Sequence, residues 1–164
     1  MTAGRGLFER RQIRGWLIAF GVLLSPGLAS GQTMQAPILS LEGAWAVLHA
    51  AEQKAQQLSA PSSLVVVDAA GDLILFEQMQ GARPIGIDLA IGKARSAARY
   101  QEPTQTLEST INTGRPAAIT APMIQMDGGV PIRVDGTFVG AVGVSGLDKA
   151  NDIKIADAAA AAMK

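Results

Sequence analysis

The chain has no cysteine, one histidine and few aromatic residues, and each scarcity closes off some chemistry. Without thiols there can be no disulfides, thiolate metal centres, iron–sulfur clusters, thioether-linked haem or lipid-modified cysteine anchor. With His49 as the one imidazole, any site needing two is excluded. Aromatics at 4% are too sparse to form a stacking platform for single-stranded nucleic acid. Charged residues make up 17% and the formal net charge is zero. The zero conceals a split, because residues 1–31 carry a charge of +3 and residues 32–164 a charge of −3. A weakly acidic body without a basic stripe argues against a nucleic-acid partner.

What the 164 residues do have is apolar content, at 48%, enough to build one core of ordinary size. The first apolar run, Gly15 to Leu24, follows Arg10, Arg11 and Arg14. Pro26 breaks it, and Ala29-Ser30-Gly31 supplies small residues where a signal peptidase reads. That order predicts a secretory signal over 1–31, since the run is about half the length of a membrane span. Cleavage before Gln32 would leave a short segment, 32–37, and one domain over 38–164, periplasmic or secreted and not membrane-inserted. Arg10-Arg11 partly resembles a twin-arginine signal, but Glu9 stands where Ser or Thr is usual.

No Gly/Ser/Pro-rich linker or internal repeat divides the body. Ser40 is placed to cap a helix with an apolar stripe of Leu41, Ala44, Trp45, Leu48, Ala51, Ala55 and Leu58. Leu64 to Val67 and Leu73 to Met79 read as two strands joined by the turn Asp68-Ala69-Ala70-Gly71-Asp72. Ile87 to Ala98 has helical spacing, with Lys93, Arg95 and Arg99 on its other faces, and Thr104 to Thr110 suits a short third helix. Asp135-Gly136 between two apolar runs is the strongest hairpin signal in the chain. Gly140 and Gly143 in its second strand predict close backbone approach. An alanine-rich helix, Asn151 to Met163, follows. The order α-β-β-α-α-β-β-α predicts an α+β fold with a mostly antiparallel sheet flanked by helices. No phosphate-cradling glycine loop is present.

Four segments carry a family resemblance. Val65-Val66-Val67-Asp68-Ala69-Ala70-Gly71-Asp72-Leu73, Ile91-Gly92-Lys93-Ala94-Arg95-Ser96-Ala97, Gly128-Gly129-Val130-Pro131-Ile132, and Gly140 to Gly146 with Asp152 beyond resemble the GlcG/HbpS family. Each is weak alone; together, in order, they cover residues 38–163. The resemblance implies a profilin- or PAS-like sheet of about five antiparallel strands and assembly as dimers to octamers. Some members bind haem, are exported and are linked to haem or iron sensing, and "haem-degrading" is a family label. A related module is fused to cobalamin adenosyltransferases. Two features depart from the pattern: Asn151 stands where Gln often precedes the aspartate, and Gly43 and Gly92 lie inside helices.

The leading expectation is therefore an exported small-ligand binder taking haem or a related tetrapyrrole for sequestration or sensing, as a homo-oligomer. The alternatives are an enzyme of haem breakdown or small-carboxylate metabolism, and a structural accessory subunit without a ligand. His49 is the candidate axial iron ligand, or else a histidine hydrogen-bonded at a helix surface. Lys93 and Arg115 could pair with propionates, and Tyr100 is a further oxygen donor. Met79, Met123 and Met126 could line a pocket or fill the core. Gly128, Gly129, Pro131 and Ser145 are the densest match to the family and candidate pocket residues. Asp68 reads as a turn residue, and Asp148 and Asp152 as partners of the last helix's dipole. No catalytic residue is assigned, because nothing brings Ser145, His49 and Asp68 together.

Overall fold

The computed structural model describes residues 36–163; the expected signal segment and the proposed cleavage point lie outside them. In chain order the elements are α1 (Leu41–Gln57), β1 (Ser63–Asp68), β2 (Leu73–Gln78), α2 (Gly86–Tyr100), α3 (Thr104–Thr113), a short 3-10 helix (Pro116–Thr120), β3 (Gly129–Val134), β4 (Thr137–Ser145) and α4 (Lys149–Ala161). The expected order and α+β class hold. Four strands form the antiparallel sheet, in the order β2-β1-β4-β3, where about five were expected. Both expected hairpins are present, and β1 pairs with β4 at the centre.

Helices cover both faces of the sheet. Leu64, Val66, Val142 and Val144 point to one face, where α1 and α4 close the larger core with Val47, Leu48, Ile155 and Ala156. The alternate residues Val65, Val67 and Ala141 meet α2 through Ala90, Ala94, Ala97 and Ala98. Alternation along β1 thus feeds two cores, which explains its unbroken β-branched run. The second core is thin because its side chains are small. A Cβ at Gly143 would overlap the Ala90 carbonyl and stand 2.7 Å from the Ala94 nitrogen, so α2 rests directly on the β4 backbone. The close approach anticipated at Gly143 is this helix contact.

Local chemistry fixes the ends of the elements. The Ser40 hydroxyl accepts from the Gly43 N–H and caps α1. Asp68 Oδ1 accepts from the Ala70 and Asp72 N–H groups and closes the β1–β2 turn. Asp135 and Gly136 both have positive φ, 49° and 77°, as the hairpin requires. Pro131 lies on the edge strand β3, where a missing N–H costs least.

Two readings of helix faces need correction. Leu41 and Trp45, placed in the buried stripe of α1, are exposed, and Val47 is buried instead. The packed face is set by contact with α4 and the sheet, so it is rotated from the sequence stripe. Lys93, placed away from the core face of α2, is only 3% exposed. It is buried because an acid waits for it across the fold.

Candidate functional site

Lys93 leaves the middle of α2 and its Nζ donates to Asp152 Oδ2 on α4 and to the Val144 carbonyl at the end of β4, each at 2.9 Å. Asp152 is 5% exposed, and its Oδ1 accepts from the Gly146 N–H at 2.7 Å. One ion pair therefore ties α2, α4 and the end of β4 together. Burial pushes the Asp152 carboxyl above the ordinary carboxylate range, against the pull of Lys93 and the Gly146 N–H. Lys93 carries three N–H donors and two are engaged here.

The glycines beside this pair are explained by space. A Cβ on Gly128 would stand 3.1 Å from Asp152 Cβ and 3.2 Å from Lys93 Nζ. One on Gly129 would strike the Lys93 backbone and Thr104 Cγ2. The buried Thr104 hydroxyl in turn receives the Gly129 N–H at 2.9 Å. Three of the four motifs, from α2, from the approach to β3 and from the end of β4, thus meet at the Lys93–Asp152 pair. The fourth, around Asp68, makes a turn elsewhere.

Above the pair opens a cleft of about 290 Å³. Ser145 and Asp152 line it together with the apolar Leu89 and Met126, and Arg83 and Lys149 bring cations to it. Lys149 Nζ lies 2.6 Å from both Glu108 Oε1 and Asp127 Oδ2. Glu108 Oε2 also accepts from the Asp127 N–H at 2.8 Å, which fastens α3 to the loop before β3. Burial works against the Glu108 charge, but the Lys149 and Asp127 hydrogen bonds outweigh it and hold the carboxyl below its ordinary value. Those same two acids, Asp127 first, raise the Lys149 ammonium pKa. The Asp127 carboxylate is buried, and Oδ1 has no partner; Lys149 reaches Oδ2 at ion-pair distance but off the hydrogen-bonding direction.

The remaining candidates lie apart from this cleft. His49 is 61% exposed in its side chain, stacks on Trp45 with ring centroids 5.4 Å apart, and turns Nδ1 toward Glu52 Oε2 at 3.7 Å. Arg115 and Tyr100 share a separate cleft of about 330 Å³ with Leu107 and Gln125. Pro131 lines another, against α4. Arg95 donates to the Gly71 carbonyl. Met79 packs against the larger core, Met126 borders the Lys93 cleft, and Met123 lies near Arg95. His49 and the Tyr100–Arg115 cleft rest on opposite faces of the sheet and cannot share one ligand within a chain. Among the described residues no group of three or more His, Asp or Glu could hold a metal, and no helix is long and apolar enough to cross a membrane.

Asp152 was legible as a motif residue and a dipole partner but not as the acid that pairs with Lys93, although a lysine inside a helix of small residues signals a buried acid. Asp127, Glu108 and Lys149 left no sequence signal, since they are distant in the chain and ordinary in type.

The comparisons agree with this architecture. The profile of the family described as "Haem degrading protein HbpS-like" matches residues 39–161. Protein GlcG of Escherichia coli K12 is 41% identical over 109 residues, 66% of this chain and 81% of its own length. The crystal structure of the Streptomyces reticuli HbpS double mutant superposes with a TM-score of 0.74 at 28% identity, covering 82% of this chain and 92% of that one. A crystal structure described as a PduOC:heme complex superposes at 0.70 with 28% identity, covering 78% of this chain and 96% of that one. This chain belongs to the HbpS-like family.

Proposed function

We propose that the protein is an exported, homo-oligomeric binder of haem or a related tetrapyrrole, acting in sequestration or sensing. The observation that carries this reading is the similarity, over nearly the whole domain, to a PduOC structure described as a haem complex. Export rests on the Arg-rich, apolar and small-residue order of residues 1–31.

The residues present fit such a ligand at the surface of α1. A porphyrin needs apolar contact for its faces, a donor for iron and water or cations for its propionates. Ile38, Leu41 and Trp45 are exposed apolar side chains, and His49 continues the line of Leu41 and Trp45 at four-residue spacing along α1. Glu52 Oε2 lies 3.7 Å from His49 Nδ1, close enough for a small side-chain movement to make the hydrogen bond that ligating histidines commonly give a carboxylate. An apolar strip that ends in an imidazole is more than a helix surface requires. Bound haem would supply the iron-centred redox and ligand chemistry that sensing needs. Lys93 is buried on α2, across the sheet from α1, so a ligand at His49 does not reach it. Arg115 lies on the other side of the sheet from His49, so it would serve a propionate only from another copy.

The test is a haemin titration followed at the Soret band, with wild type and His49→Ala. The reading expects saturable binding with a shifted band, and loss of that shift in the variant with unchanged far-ultraviolet circular dichroism. An unshifted, non-saturating spectrum would overturn it.

A further inference from the structure

A separate feature of the fold points to a second ligand. We infer that the cleft over the Lys93–Asp152 pair is a binding site for a small carboxylic acid carrying a hydroxyl or amino group, independent of the surface around His49. The volume, about 290 Å³, lies at the lower end for small-molecule sites and suits a handful of heavy atoms.

Three observations define the chemistry. Arg83 lines the cleft, and among the described residues no carboxylate pairs with it. A guanidinium in that position recognises a carboxylate by two parallel hydrogen bonds. Lys93 lines the same cleft with one N–H beyond those given to Asp152 and Val144. Asp127 supplies the opposite demand: its buried carboxylate has an oxygen with no donor, an arrangement that costs stability unless something fills it. An acid with an adjacent O–H or N–H answers both ends. Its carboxylate meets Arg83, and its hydroxyl or amine donates to Asp127.

Lys149 lies against Asp127 Oδ2. Its side chain is 61% exposed, so its ammonium can swing from Asp127 toward an incoming carboxylate without disturbing the core. Leu89 and Met126 give the ligand's carbon atoms an apolar wall. No bond is made or broken in this account; the site binds.

The experiment uses the purified chain, isotope-labelled, titrated with L-lactate and L-alanine while the amide resonances of Gly128, Ser145 and Gly146 are followed. Propionate, which lacks the second donor, and lactamide, which lacks the charge, are the comparison ligands. Saturable shifts with lactate or alanine are expected, at least about tenfold weaker with propionate and lactamide. Arg83→Ala should weaken binding about ten- to a hundredfold while leaving haemin titration unchanged, since Arg83 is exposed and is not part of the Leu41, Trp45 and His49 strip. Asp127→Asn should reduce the preference for lactate over propionate. Absence of saturable shifts with both acids would overturn the inference, and so would propionate binding as tightly as lactate. Binding unaffected by Arg83→Ala would overturn it as well.

Discussion

Replacing Lys93 with methionine isolates the interaction that joins α2, β4 and α4. Methionine keeps an unbranched apolar stem of similar length at this buried position and lacks Nζ, so packing changes little. What changes is electrostatic. Asp152, at 5% exposure, keeps one donor, the Gly146 N–H, and the Val144 carbonyl loses its lysine partner. Removing one member of a buried pair costs about 3–5 kcal/mol, because the other charge stays buried without compensation. Each kcal/mol shifts the midpoint by about 3–5 °C in a domain of this size, so the transition should fall by roughly 10–25 °C. Asp152→Asn retains an oxygen for the Gly146 N–H but leaves Lys93 without an anion, and it should be destabilising too. The double variant should be more stable than the two single losses added together, with a coupling of at least about 1 kcal/mol. Thermal and urea unfolding by circular dichroism at neutral pH measure all four proteins. A Lys93→Met loss below about 1 kcal/mol, the scale of an exposed pair, would refute the reasoning, as would strict additivity.

Other outcomes follow from the same geometry. Gly143→Ala should push α2 off the sheet and cost about 3 kcal/mol or more, whereas Gly136→Ala, with open space around it and φ of 77°, should cost only about 1–2 kcal/mol; denaturant midpoints separate them. The tie through Glu108, Asp127 and Lys149 should support α3 across a wide pH range. The lowered Glu108 pKa makes its contribution full above about 4.5 and lost as acid passes below that, and the raised Lys149 pKa keeps its part intact up to at least 10.5. Amide exchange in α3 should therefore quicken below pH 4.5, and Glu108→Gln should flatten that dependence. Periplasmic material should lack residues 1–31 by intact mass, and full-length protein held in the cytoplasm or membrane would count against export.

Much of the fold was legible because short-range rules dominate it. Ser40, Asp68 and Asp135-Gly136 act within a few residues of themselves, and each does what its type favours. Helix faces were read less well. Leu41 and Trp45 are apolar, and nothing local says that α1 turns them outward while α4 claims Val47's side. The site was half legible: Lys93, Gly128, Gly129 and Ser145 stood out as motif residues, and they do gather. Their reason for gathering, a buried acid fifty-nine positions from Lys93, is a tertiary fact. The same holds for Asp127 and Lys149, whose partners are fixed only once α3 and α4 have packed.

We propose that this chain holds haem on the α1 surface through His49. The most direct measurement is the resonance Raman spectrum of the haemin complex, compared between wild type and His49→Ala. The account predicts an iron–imidazole signature in the wild type that is absent from the variant, with apparent affinity falling at least about tenfold. An identical spectrum and affinity in the two proteins would contradict it.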